Sequence, residues 1–163
     1  MNKLILLSIF ISLALTNFSQ EIDSVYQNSF FYGAWVDSTV FQNGAGMAFV
    51  PGGFVFNPDG CCQFIIDGNI MDCIIEQKNM KVHYKVDYDS VPNQLDINIL
   101  DLKTDTIKDV IPMIFEIIDP NHMRIVRNKY DRHKRPTDFN SNNSSEITLF
   151  SRYVGDIKEL KTR

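Results

Sequence analysis

From Phe30 onward the chain is built of short runs rich in Val, Ile, Phe and Tyr, alternating with polar residues and divided by Gly, Pro, Asn and Asp. Alternation with a period of two is the mark of a strand that buries one face, and Gly and Pro clusters mark where strands end. The pattern predicts strands near 31–40, 46–50, 53–57, 61–66, 70–76, 80–88, 94–102, 106–118, 122–129 and 146–154, with 106–118 interrupted at Pro112. Between them lie turn sequences such as Pro51-Gly52-Gly53, Asn57-Pro58-Asp59-Gly60, Asp67-Gly68-Asn69, Ser90-Val91-Pro92-Asn93 and Asp119-Pro120-Asn121. Connections this short join antiparallel neighbours, and none can hold the crossover helix that a parallel pair needs. The expected fold is all-β, an antiparallel up-and-down β-barrel of about eight to ten strands.

Three segments depart from this rhythm. Residues 20–29 carry Ile22, Val25 and Tyr26 at helical spacing, which predicts one or two amphipathic turns before the first strand. Residues 130–145 are polar and too long for a hairpin turn, so they form a loop expected to lie outside the barrel. At the start, Met1-Asn2-Lys3 is basic, Leu4 to Leu15 is apolar, and polar Thr16-Asn17 and small Ser19 follow. That order reads as a signal peptide over 1–19, cleaved after Ser19, with 20–163 as the domain. Its apolar run is well short of the roughly 20 residues that span a bilayer, so no stable membrane span is expected. The expected location is secreted or periplasmic, where disulfides are permitted.

Composition narrows the function classes. With 163 residues, 44% of them hydrophobic, the chain can bury one core, and a net charge of −4 lacks the basic excess that phosphate binding requires. Nucleic acid is therefore not an expected partner. The histidines His83, His122 and His133 are scattered; His83 reads as a solvent-facing strand residue, and His133-Lys134-Arg135 as a small basic patch in a solvated loop. Asp87, Asp89, Asp96 and Asp101 read as the outer polar face of a half-buried sheet. No nucleophile motif, phosphate loop or metal-ligand run is present, so neither an enzyme nor a cofactor is expected.

Cys61, Cys62 and Cys73 flank Asp67-Gly68. If that dipeptide is a two-residue type I′ loop, Ile66 faces Asn69, Phe64 faces Met71 and Cys62 faces Cys73. A Cys62–Cys73 disulfide is then within reach, and three buried reduced thiols are the alternative. The same register places Cys62, Phe64, Met71 and Ile75 on the inner face with Phe54 and Phe56.

The motifs Gly33-Ala34-Trp35, Phe56-Asn57-Pro58-Asp59-Gly60, Leu95-Asp96-Ile97 and Arg135-Pro136 with Phe139 occur in that order. Together they resemble the G-x-W, F-x-x-D-G, L-D-I and R-P-x-x-F elements of lipocalin-like exported domains of the calycin group, over about Phe31 to Tyr153. The T-D-Y element of secreted animal lipocalins is absent. The resemblance implies a β-barrel that binds a small hydrophobic ligand, with Trp35 bounding the interior and Phe54, Phe56, Phe64 and Met71 lining it. Twelve Phe and six Tyr suffice either to line a cavity or to fill it. A filled barrel would instead make this an accessory or protein-interaction module with no small-molecule ligand.

Overall fold

The computed structural model describes residues 29–37, 52–140 and 145–155. The expected signal peptide, the amphipathic turn up to residue 28 and the expected strand 46–50 lie outside them. The chain divides into two units, residues 1–31 and 32–163. Of the first, residues 29–31 are helical, and the Phe30 and Phe31 rings meet edge to face.

The second unit contains ten described strands, all paired antiparallel: β1 (Gly33–Asp37), β2 (Gly53–Phe56), β3 (Cys62–Ile66), β4 (Asn69–Met71), β5 (Ile74–Ile75), β6 (Met80–Asp87), β7 (Asn93–Asp101), β8 (Ile107–Asp119), β9 (His122–Asn128) and β10 (Ser145–Arg152). They form one sheet in the order β4-β3-β2-β1-β10-β9-β8-β7-β6-β5, which curls into a half-barrel. Every neighbour in that order is consecutive in sequence except β1 and β10, the pairing that joins the two ends of a meander. The break in the ladder falls between β4 and β5. It is spanned lower down, where Gly60 O accepts from Tyr84 N at 2.9 Å, Cys73 O accepts from Val82 N at 2.7 Å, and Cys61 bridges to His83.

Local chemistry explains the register. Asp67 and Gly68 both have positive φ, 49° and 69°, as a type I′ turn demands, and Ile66 faces Asn69 while Phe64 faces Met71. Gly53 is required for a different reason: a Cβ there would lie 2.1 Å from the Trp35 carbonyl oxygen, where β1 and β2 approach closely.

Two expectations need correction. The disulfide joins Cys61, not Cys62, to Cys73, and Cys62 is a buried free thiol. The ladder from Asp67-Gly68 ends at Met71, after which Cys73 turns to bond β6, so counting onward from the hairpin overshoots. Nor does Pro112 interrupt β8, which runs unbroken from Ile107 to Asp119 with Pro112 opposite Asp96. The pairing of β8 with β9 begins only at Ile114, so Pro112 has a strand neighbour on one side, the edge-like position in which a missing N–H is tolerated.

Candidate functional site

Directly opposed residues share a face, so the register defines the interior. Trp35 faces Phe54 and Arg152, Phe54 faces Phe64, and Phe56 faces Cys62. On the far side Phe150 faces Met123, Thr148 faces Ile125, Glu146 faces Arg127, Leu95 faces Met113, and Tyr84 faces Ile97. A second apolar cluster, Ala34, Val36, Val55 and Ile65, lies on the opposite face with Ile70 and Tyr153 packed against it.

At the Gly33 end the interior is filled. Trp35, Phe56, Cys62, Leu95, Phe115 and Met123 are all buried. The Arg152 guanidinium lies 4.4 Å from the centre of the Trp35 ring, and it donates to Tyr32 O at 2.7 Å and Pro120 O at 3.2 Å. Burial lowers the Arg152 pKa, and the same cause raises that of the Cys62 thiol. The turn 57–60 docks on β6, with the Tyr84 hydroxyl donating to Asn57 O at 3.0 Å and the Tyr84 ring edge-on to Phe56. Burial first, then the nearby Tyr32, pushes the Tyr84 pKa up to about 12.

At the Asp37 end the described side chains leave the interior unfilled. It holds a cavity of about 370 Å³ whose apolar wall includes Phe54, Phe64, Ile97, Met113, Ile125 and Phe150. Phe54 is the hub of an aromatic group, its ring 5.4–5.7 Å from those of Phe56, Phe64 and Phe150. Among the described residues the polar wall lies on three adjacent strands: Asp37 on β1, Thr148 and Glu146 on β10, and Arg127 on β9. Arg127 and Glu146 form a cross-strand pair, with Nε and Nη2 donating to one carboxylate oxygen at 2.9 and 2.8 Å.

Of the residues expected to bind a ligand, Phe54 and Phe64 line this cavity. Trp35 and Phe56 are buried in the filled end. Met71 is 40% exposed on the short edge strand β4 and lines a separate depression with Cys73 and Ile74. Ile97, Met113, Ile125, Phe150 and the Arg127–Glu146 pair were not singled out from the sequence, although the same alternation that selected Phe54 and Phe64 runs through β7 to β10.

The described part of the long loop, up to Asn140, packs on the other face of the sheet. Arg135 donates to Asp96 and, at 2.6 Å, to the Met113 carbonyl, which lies beyond the start of the β8–β9 pairing. Arg124 stacks over Phe139 at 4.5 Å and pairs with Glu116, while Arg132 and His133 both reach Asp109. Within His133-Lys134-Arg135, His133 and Lys134 are exposed, as a solvated loop implies, and Arg135 is half-buried against Asp96. His83, expected to face solvent, is half-buried at the Cys61 bridge.

Among the described residues, no group of three or more His, Cys, Asp or Glu could hold a metal ion, and no helix is long and apolar enough to cross a membrane. Comparison with known proteins finds no matching family model, curated protein or solved structure.

Proposed function

We propose that this is an exported, lipocalin-like carrier that holds a small apolar ligand in the open end of its half-barrel. The cavity at the Asp37 end carries this reading: about 370 Å³ falls within the range of small-molecule sites, and its wall is mostly aliphatic and aromatic with a few polar groups grouped together. The lipocalin resemblance gains support from the places its motifs take. Trp35 closes one end of the interior, the 57–60 turn docks on β6, and Asp96 of the L-D-I element receives Arg135 of the R-P-x-x-F element. Export rests on the N-terminal pattern of Lys3 and Leu4 to Leu15, and the Cys61–Cys73 disulfide fits an oxidising compartment.

The test is displacement of a neutral, environment-sensitive apolar dye from the purified protein, with an Ile125→Trp variant that fills the cavity. Saturable one-site binding by the wild type, abolished in a folded Ile125→Trp protein, is the expected result. Absence of saturable binding across neutral apolar compounds overturns the carrier reading and leaves the filled-barrel interaction module in its place.

A further inference from the structure

We infer that Phe54 is the floor of this cavity and limits what it carries to a single-ring or medium-chain apolar molecule of about a dozen carbons or fewer. The inference rests on the carrier reading and adds the size class of the ligand and the residue that sets it. Inward-facing residues follow one another two positions apart along each strand. Among the described residues, Phe54 of β2, Met113 of β8 and Ile125 of β9 line the cavity, whereas Phe56, Phe115 and Met123, each two residues nearer the filled end, are buried and do not. The cavity therefore stops at one level on three strands, and the Phe54 ring lies at that level, stacked on Phe56 with centres 5.5 Å apart and planes at 20°.

Phe54 is held where it is from several sides. It is half-buried, so part of its ring faces the cavity, and the remainder meets Phe64 of β3 at 5.7 Å and Phe150 of β10 at 5.4 Å as well as Phe56. Its backbone cannot retreat, because β2 approaches β1 so closely at Gly53 that a Cβ there would lie 2.1 Å from the Trp35 carbonyl oxygen. The packed interior beneath it leaves no room for a ligand to push further in. An apolar cavity of about 150 Å³ holds one benzene ring, so the 370 Å³ here takes roughly twice as much, about a dozen carbons. Along β10 the inner face reads Glu146, Thr148, Phe150, which places the polar groups toward the long loop and directs the apolar part of a ligand at Phe54.

The experiment measures displacement of a neutral dye from the full exported protein by the linear alcohols from hexanol to tetradecanol, each below its solubility limit. A methylene that enters the cavity tightens binding about fourfold, and one left in water adds nothing. Affinity is expected to rise along the series and to stop rising at about ten to twelve carbons. Phe54→Ala, which frees the length of a ring, should move that breakpoint about two to four carbons longer, and Phe54→Leu about one. A role in stability alone would weaken binding at every length without moving the breakpoint. If the alcohols compete but affinity climbs unbroken to tetradecanol, or the breakpoint stays put in a folded Phe54→Ala protein, the floor assignment is overturned and the carrier reading stands. If no alcohol competes at any length, the carrier reading itself falls. Should neither variant fold, the wild-type series still decides, because a break near the expected length upholds the size limit and its absence overturns it.

Discussion

The two ends of the half-barrel are built from the same strands and the same inward alternation, yet among the described residues one is packed and the other holds a cavity. At the Gly33 end Trp35 sits under Arg152, and Phe56, Phe115 and Met123 complete a filled interior. At the Asp37 end Phe54, Phe64 and Phe150 leave about 370 Å³ between themselves and the opposite wall. Aromatic content is therefore not what separates core from cavity here. The filled end has the sole Trp and a half-buried arginine whose hydrogen bonds reach the Tyr32 and Pro120 carbonyls. The open end has an ion pair and an acid along one wall. The half-buried Arg152 is tolerated at the first because carbonyl oxygens accept from its guanidinium, whereas Arg127 at the second is paired with Glu146.

The difference should appear first in stability. Trp35→Ala removes the largest fully buried side chain and is expected to cost about 3–5 kcal/mol, whereas Phe64→Ala, from a half-buried cavity wall, should cost about 2 kcal/mol. Urea denaturation compares them, and equal losses would mean that the two ends are packed alike. Next in size is the bond that spans the break between β4 and β5. Cys61 and Cys73 are 12 residues apart, so Cys61→Ser should cost about 3 kcal/mol through loss of loop closure, against about 1 kcal/mol for Cys62→Ala. Peptide mapping without reductant should recover Cys61 linked to Cys73, and Cys62 should alkylate only on unfolding.

The clasp of the long loop on the outside of the sheet lies on neither end and should be weaker. Arg135→Ala breaks a part-exposed ion pair and a bond to the Met113 carbonyl, for an expected loss of about 1–2 kcal/mol. Faster proteolysis within 130–140 without loss of dye binding would show that the loop and the cavity act independently.

The smallest effects separate the ends along the pH axis. Near the filled end, the Tyr84 pKa is raised from 10.0 to about 12, so its contribution is complete below pH 10 and is lost as pH rises through about 12. Phenol titration by ultraviolet difference, with Tyr84→Phe as reference, measures it. At the open end, Asp101 in the β7–β8 turn is held below its usual 3.8, first by the hydrogen bond from Lys108 and then by the Lys103 and Thr104 amides. That contribution is complete above pH 3.8 and is lost as pH falls further, since the unfolded carboxyl protonates first. Asp101→Asn should flatten the acid limb of a stability profile and leave the alkaline limb unchanged.

Residues with strictly local causes were readable in advance. Asp67-Gly68 set the register of Ile66 and Phe64 because positive φ at both positions leaves one turn type. Alternation places Phe54 and Phe64 on the inner face together with Phe56 and Met71, and only the structure separates the two that line the cavity. Cys61 was missed because its partner leaves the hairpin to bond a strand from the next one, and no count within 61–76 contains that departure. Arg127 and Glu146 come from β9 and β10, separated by the long loop, and their pairing needs the register across that loop. Pro112 looked like an interruption because a sequence does not state how far each neighbour extends.

What the amino-acid order determined by itself was the strand type, the tight turns, the antiparallel sense and the apolar face of each strand, all products of steric preference and burial within a few residues. Only the tertiary structure decided where the ladder breaks, which cysteine is bridged, that Arg152 covers Trp35 and that the described side chains leave a cavity at one end of the interior. Those outcomes depend on how strands distant in sequence share one curled sheet, and the space left inside it is a property of the assembled wall rather than of any strand.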